Sequence, residues 1–365
     1  MSYPLPGIAE LADLPFDEII DVRSPAEFAE DHLPGALSLP VLSNAERARV
    51  GTLYKQEDPF TARKTGAAII ARNIAAHLDS HFAGKARDYC PLIYCWRGGQ
   101  RSGAMGIILK QVGWRAETLE GGYRSWRRAV VRLLYDTQWA APVVLLDGNT
   151  GTAKTDLLQR IARQGGQVLD LEGLAHHRGS LFGARPGGQP AQKAFESGLA
   201  QAITGLDPAR PVIVEAESSR VGERNLPPGL WKAMMGAPRI HVQAPLEARA
   251  AYLVETYRDI AESADFAARI GRLQPYHSRD TLARWREMHA RGDWQTLAGE
   301  LMREHYDPRY EKQRRRAAGV CEQVIAMADL SPDSREAAAG QSMEMARQLT
   351  ASAAASGPPA SPRRP

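Results

Sequence analysis

The sequence predicts an α/β protein with two successive domains, each a parallel sheet flanked by helices, the second with a helical C-terminal part. Three observations predict it. The apolar runs Leu92-Ile93-Tyr94 and Val143-Val144-Leu145-Leu146 each lead into a glycine-bearing loop and then a helix-like segment. A third run, Val212-Ile213-Val214, has the unbroken apolar character of a parallel strand covered on both faces. The 365 residues, 44% hydrophobic and 24% charged, suffice for two globular cores.

Taken in order, residues 8–30 give a short helical pattern and then the strand-like Glu18-Ile19-Ile20-Asp21-Val22-Arg23. Ser24 reads as an N-cap, Pro25 as the first helical residue and Glu27 as an acid in the first turn. His32-Leu33-Pro34-Gly35-Ala36-Leu37-Ser38 reads as a turn into another short strand. Residues 43–88 carry Ala68, Ile69, Ala71, Ile74 and Ala75 at helical spacing, so a mostly helical insert is expected. Lys64, His77 and His81 are expected on its surface.

The stretch Cys95-Trp96-Arg97-Gly98-Gly99-Gln100-Arg101-Ser102 follows the first apolar run. A strand, a glycine loop and a helix start aim backbone N–H groups and the helix dipole at one point, which suits an anion. Beside such a cradle, with Arg97 and Arg101 near, the Cys95 thiolate should be favoured, as reactive thiolates are in electropositive surroundings. Asp-Val-Arg at 21–23, the short acidic helix, His32 to Ala36, the cysteine loop and Gly121-Gly122-Tyr123-Arg124-Ser125-Trp126 together resemble the rhodanese domain, over about residues 5–135. The resemblance makes Cys95 the counterpart of the family's sulfur-carrying cysteine, while Asp21 and Arg23 read as a structural brace. Five residues separate Cys95 from Arg101, a spacing that also fits the tyrosine-phosphatase signature, with Tyr94 where that signature has histidine. The loop therefore indicates a thiolate plus a tetrahedral oxyanion and leaves phosphatase and chalcogen carrier both open.

After a linker at 136–142, the second domain is expected over 143–330. Gly148-Asn149-Thr150-Gly151-Thr152-Ala153-Lys154-Thr155 resembles a Walker A phosphate loop, in which amides and a lysine hold polyphosphate and Thr155 reaches a metal. Ala153 replaces the usual glycine, a handicap if that position needs positive φ. The third apolar run ends in Glu215 and Glu217, which either hold Mg²⁺ or simply finish a strand. His177 and Arg178 lie in a loop-like stretch and are candidate substrate or metal contacts, and Gln189 to Glu196 is a second unusual polar segment. Helices are expected at 245–262, 278–290, 293–303 and 310–327, with interleaved arginines and aromatics that suit either RNA or helix packing. Residues 331–365, rich in Ala, Ser, Pro and Gly, read as a disordered tail.

The three cysteines, Cys90, Cys95 and Cys321, lack metal-ligand spacing and, being odd in number, argue against a disulfide framework. With no leader-like start and no long apolar stretch, a cytoplasmic protein without membrane contact is expected. A net charge of +4 permits nucleic-acid binding without proving it. The order of a rhodanese part, a degenerate Walker A loop and His305-Tyr306-Asp307-Pro308-Arg309-Tyr310 resembles the bacterial tRNA 2-selenouridine synthases. That resemblance implies tRNA with wobble 2-thiouridine as substrate, and geranyl diphosphate and selenophosphate as co-substrates. It implies S-geranylation at the 148–155 loop with Mg²⁺ as a candidate ion, then selenation at the 95–102 loop, where Cys95 carries or steers selenium. The sequence alone also accommodates a rhodanese- or phosphatase-type thiolate enzyme fused to an ATP-using P-loop domain. A third reading is a tRNA-binding sulfur-relay module without a complete active site. Oligomeric state is not legible in it.

Overall fold

The structure, a computed structural model, describes residues 2–179, 183–258, 266–316 and 321–356. It has two compact units: Met1–Thr137 with Pro190–Gly205, and Gln138–Gln189 with Leu206–Pro365. The sequence places the second domain on one continuous stretch, whereas here a segment after residue 189 returns to the first unit.

In chain order the first unit runs β1 (Ser2–Tyr3), β2 (Glu18–Asp21), α1 (Pro25–Glu30), β3 (Ala36–Ser38), α2 (Asn44–Gln56), α3 (Pro59–Asp79), β4 (Pro91–Tyr94), α4 (Gln100–Val112), β5 (Glu117–Leu119) and α5 (Tyr123–Val131). The strands lie side by side as β1-β5-β4-β2-β3, all parallel. Parallel neighbours need crossover connections, which the helices supply. β4 is central and buried along its whole length, as its apolar run demands. Ser24, the expected N-cap, forms a capping box with Glu27 on α1, and Asp58 accepts from the amides of Phe60 and Thr61 at the start of α3. The insert is helical as its periodicity predicts, but its core stripe is Ala62, Gly66, Ile69, Ile70 and Ile74. Ala68, Ala71 and Ala75 are exposed. His77 reaches the Pro40 carbonyl at 3.0 Å, and His81, Lys85 and Tyr89 converge on Glu18. Both histidines thus tie the insert down rather than decorate its surface.

Asp21 and Arg23 are the brace the sequence suggests. Arg23 Nε lies 3.0 and 2.9 Å from the two Asp21 oxygens, and its Nη2 also donates to the Asp31 carbonyl at 2.6 Å. The guanidinium stacks 4.0 Å from the centre of the Tyr123 ring, and both charged groups are buried. Asp21→Ala would leave a buried guanidinium without its partner and should cost about 3–5 kcal/mol. Urea unfolding of the variant measures this, and an unchanged midpoint would refute the bracing role.

The chain continues through β6 (Val143–Gly148), α6 (Lys154–Arg163), β7 (Gln167–Leu169) and α7 (Leu171–Leu174). Next comes α8 (Gln192–Thr204), which belongs to the first unit. There Ser197 accepts from Trp126 Nε1 at 3.1 Å and donates to Asp31 at 2.8 Å, while Glu196 pairs with Arg127. The polar segment 189–196 is therefore largely a structural helix start. The second unit resumes with β8 (Val212–Glu215), a small hairpin of β9 (Arg220–Val221) and β10 (Arg224–Asn225), α9 (Pro228–Met235), β11 (Arg239–Gln243) and α10 (Leu246–Thr256). Helices Phe266–Gly271, Arg279–Ala290, Trp294–Leu301 and Asp307–Arg316 follow. A strand β12 (Glu322–Ala326) and a final helix Pro332–Ser356 end the described chain.

The second sheet is β12-β11-β6-β8-β7, again all parallel. Two expectations fail here. Of the helix expected over 310–327, residues 310–316 are helical and 317–320 lie outside the described residues, but residues 322–326 pair with β11 instead, because Val324 and Ile325 are β-branched and Ile325 fills a core position. The tail expected to be disordered from 331 is helical to Ser356. Its Ala338, Ser342, Ala346 and Leu349 recur every three or four residues and are buried, and all but Ser342 belong to the core that also takes α6. Small residues made that stripe look like low complexity. Residues 357–365 of the tail lie outside the described chain.

Candidate functional site

Cys95 emerges at the end of β4 and is buried. Gly98 adopts φ +69°, and a Cβ there would meet the Leu119 carbonyl at 2.8 Å. Gly122, at φ +58°, packs so closely under the loop that a Cβ would collide with the Cys95 carbonyl and would sit 2.6 Å from the Gly98 nitrogen. The two glycine requirements have one cause. The start of α5 holds the loop from beneath, Tyr123 N–H donating to the Cys95 carbonyl at 2.9 Å and Arg124 N–H to that of Trp96 at 3.2 Å.

α4 begins at Gln100, with Gly99 as its N-cap. Ser102 Oγ donates to Cys95 Sγ at 3.2 Å. Burial pushes the Cys95 pKa up, but the Ser102 hydroxyl, the N–H groups of Ser102 and Arg97 and the charge of Arg101 outweigh it. The net direction is down. Arg101 also makes a two-point pair with Glu27, at 2.7 and 3.1 Å. Burial would raise the Glu27 pKa, yet Arg101 and Ser24 bring it down to about 2. Arg101 is therefore oriented by a carboxylate rather than left wholly to a substrate. Arg97, Gly98, Gly99 and Gln100 are exposed. Alkylation of Cys95 by iodoacetamide should show a midpoint below the ordinary thiol value of about 8.5, and Ser102→Ala should raise it. Unchanged pH profiles in the two proteins would remove Ser102 from thiolate stabilisation.

The Walker-like loop joins β6 to α6, and Ala153 adopts φ +60°. The position does require the left-handed region, at a cost to alanine of roughly 1–2 kcal/mol. Surrounding contacts hold the loop. Arg249 Nη1 donates to the Thr150 carbonyl at 3.1 Å while the same guanidinium pairs with Asp307 at 3.0 and 2.9 Å. Arg314 donates to Asn149 Oδ1 at 2.8 Å. Thr152 donates to the Asn149 carbonyl at 2.8 Å, and Gly151, at φ +84°, lies against Arg249. Lys154 Nζ donates to the Gly148 carbonyl at 2.8 Å and lies 5.4 Å from the centre of the Tyr310 ring. Burial alone would lower the Lys154 pKa, but Tyr310, Glu215, Glu172 and Glu217 raise it, so the loop keeps its cation.

Glu215 at the end of β8 and Glu217 just beyond it meet Glu172 of α7, with ligand oxygens all within 4.8 Å of one another. Thr155 Oγ1 bridges Glu215 at 2.9 Å and Glu172 at 3.2 Å. Burial and mutual repulsion push Glu172 and Glu215 up to about 8 and Glu217 up to about 7. Gly179, at φ +63°, closes over this group, since a Cβ there would meet Glu217 Oε1 at 2.6 Å. The neighbouring His177 donates its N–H to the Glu172 carbonyl at 2.9 Å, while the charges acting on its ring are those of Arg185 and Glu223. His177 accepts from Gly179 N–H at 3.1 Å, burial lowers its pKa, and Arg178 stacks 4.6 Å from the Tyr257 ring centre.

These two anion cradles, each with its own unit, are what the comparisons with known proteins join. A family model described as the tRNA 2-selenouridine synthase AAA domain matches residues 141–284, and one for the rhodanese-like domain matches residues 8–129. A tRNA 2-selenouridine synthase of Aeromonas salmonicida is 36% identical over 69% of this chain and 68% of its own. One from Hahella chejuensis is 33% identical over 83% of this chain and 87% of its own. The chain belongs to the tRNA 2-selenouridine synthases, a family of enzymes. The Alcanivorax borkumensis synthase is 37% identical over 66% of each chain. Among the described residues, no helix of this synthase-family chain is long and apolar enough to cross a membrane.

The sequence missed Glu172, Glu27, Arg249, Tyr310 and Arg314 as partners of the two loops. Glu172 carried one signal, an acid just after the short strand β7 at the same sheet edge as Glu215. The aromatics of the C-terminal helices prove mostly committed: Trp285 and Tyr306 are buried in one cluster with Trp294 and Tyr310 packed against it, while Tyr276, beside Arg309, stays exposed.

Proposed function

We propose that the protein converts wobble 2-thiouridine of tRNA into 2-selenouridine, first by S-geranylation and then by exchange of the geranylthio group for selenium. The observation that carries this reading is the pairing, on one chain of this family, of an acidified cysteine in a five-residue oxyanion loop with a lysine-bearing phosphate loop.

In the first step the thione sulfur attacks C1 of geranyl diphosphate, the carbon–oxygen bond breaks, diphosphate leaves into the 148–155 loop, and the base gives up its N3 proton to solvent. Lys154 neutralises the departing charge, and the amides of Gly148 to Thr155 receive its oxygens. Glu172, Glu215, Glu217 and Thr155 fit a divalent cation: Glu215 Oε2 is buried without a hydrogen-bond partner, and three carboxylates in 4.8 Å need a positive charge. Mg²⁺ there would offset charge on the diphosphate. His177 and Arg178 are candidate substrate contacts.

In the second step, Arg97, Gly98, Gly99, Gln100, Arg101 and Ser102 hold the oxyanions of selenophosphate. The Cys95 thiolate attacks phosphorus, forming a sulfur–phosphorus bond as the phosphorus–selenium bond breaks. Hydrogen selenide anion so released adds at C2 of the base, and geranylthiolate leaves and takes the proton from selenium. Water then hydrolyses the phosphocysteine to phosphate and free thiol. Alkylation makes this exchange feasible, because a thioether leaves as a thiolate where a thione cannot.

The test is mass spectrometry of tRNA nucleosides after incubation of the protein with thiolated tRNA, geranyl diphosphate and selenophosphate. Geranylated thiouridine followed by selenouridine is expected, and absence of both ends the reading. The carboxylate group adds a pH prediction. Between about pH 4.5 and 8 the folded protein holds protons on these glutamates that the unfolded chain has released. Stability of the metal-free protein should therefore fall as pH rises across that window, and Mg²⁺ should flatten the fall. Lys154 and Asp170 also face these glutamates. Thermal melts from pH 5 to 8.5, with and without Mg²⁺, decide it, since a slope unaffected by Mg²⁺ contradicts cation binding.

A further inference from the structure

The first unit contains an apolar groove of about 1020 Å³ between α2, α3 and α4. This is at the upper end of the roughly 300–1,000 Å³ of small-molecule sites. Its floor is Val50, Ala62, Gly66, Ile70, Ala104 and Ile108. α2 and α3 pack closely there, Gly66 lying against Val50, where even a Cβ would make only ordinary contact at 3.4 Å. Gln100, Arg101 and Gly103 form one wall, and the same helical turn carries Ser102, the donor to Cys95 Sγ. Apolar surface and thiol are thus joined by a single turn of α4. The rim is cationic, with exposed Arg47, Lys55 and Arg63, and exposed Tyr54 lies among them.

We infer that this groove receives the C10 chain of S-geranylated uridine while the base is presented to Cys95. The inference rests on the proposed function: in the exchange step the alkylated base must reach the cysteine loop with its chain attached, so an apolar receptor has to lie beside that loop. Charge complementarity favours a chain borne on RNA. The cations of the rim meet the phosphates that flank the base, and Tyr54 offers a face to a neighbouring base. When the carbon–sulfur bond at C2 breaks, geranylthiolate remains in the groove and leaves after protonation.

Ala67 and Ala71 line the groove from the exposed side of α3, so tryptophan at these positions fills it without disturbing the core. The experiment gives the full-length protein, wild type or Ala67→Trp/Ala71→Trp, two preformed substrates with selenophosphate: tRNA carrying the geranyl thioether and tRNA carrying the five-carbon dimethylallyl thioether. Wild-type exchange of the geranyl group shows that the proposed reaction itself holds. The filled variant should then exchange geranyl at least tenfold more slowly while processing dimethylallyl within about twofold of wild type. Loss on both substrates, or on neither, would overturn the groove assignment, with circular dichroism melts confirming that the variant is folded. Failure of the wild type on both substrates would instead sink the proposed function on which the groove depends.

Discussion

Cys95→Ala protein should geranylate thiolated tRNA at the wild-type rate and make no selenouridine from selenophosphate. The geranylated nucleoside should accumulate. The expectation follows from the separation of tasks: the thiol sits in the loop after β4, and the phosphate loop lies in the other unit. Loss of the nucleophile should cost several orders of magnitude in the exchange step, as for other covalent catalysts. The proposed attack on phosphorus adds a sharper outcome. If Cys95 serves to liberate selenide, hydrogen selenide supplied directly should restore selenouridine to Cys95→Ala. A variant that selenates normally from selenophosphate would remove Cys95 from the chemistry. A variant that selenide cannot rescue would mean that the cysteine hands over selenium itself.

Lys154→Ala should show the mirror image. Geranyl transfer should fall by roughly 10²–10³, the usual loss when one preorganised charge-stabilising group is removed from a developing anion. Pre-geranylated tRNA should still be converted to selenouridine by this variant. Lys154 is half-buried, and its pKa is raised because Tyr310 and three glutamates surround it. Removing the cation therefore also leaves the carboxylates repelling one another, so Lys154→Arg serves as the control for charge. Normal geranyl transfer by Lys154→Ala would dissociate the loop from the reaction, and steady-state assays with labelled geranyl diphosphate read it.

Both loops were legible in the sequence because each packs its chemistry into eight consecutive residues after an apolar strand. The structure supplies reasons the sequence could not. Gly122 is needed because it lies against the Cys95 carbonyl, a contact spanning 27 positions in the chain. Glu172 was invisible as a partner of Glu215 because two strands separated by α8 bring them together only at the sheet edge. Arg101 read as a substrate ligand because nothing local shows Glu27 waiting for it. The errors have physical causes as well. Ala, Ser and Gly in the last segment signalled disorder by composition, yet their spacing forms a buried small-residue stripe. Charged residues around 310–316 extended a helical pattern past its end, and the β-branched pair at 324–325 was outvoted.

The placement of α8 has a consequence for biosynthesis. Trp126 Nε1 and the Asp31 carboxylate bond to Ser197, and Arg127 pairs with Glu196, residues that the ribosome makes some seventy positions after Trp126. At translation rates of about 5–20 residues per second, the N-terminal sheet waits for several seconds with one flank uncovered. During that interval the phosphate loop and α6 have already emerged. The two halves therefore mature interleaved rather than in sequence, and a gene cut at the boundary near residue 137 would separate the first unit from the helix that completes it.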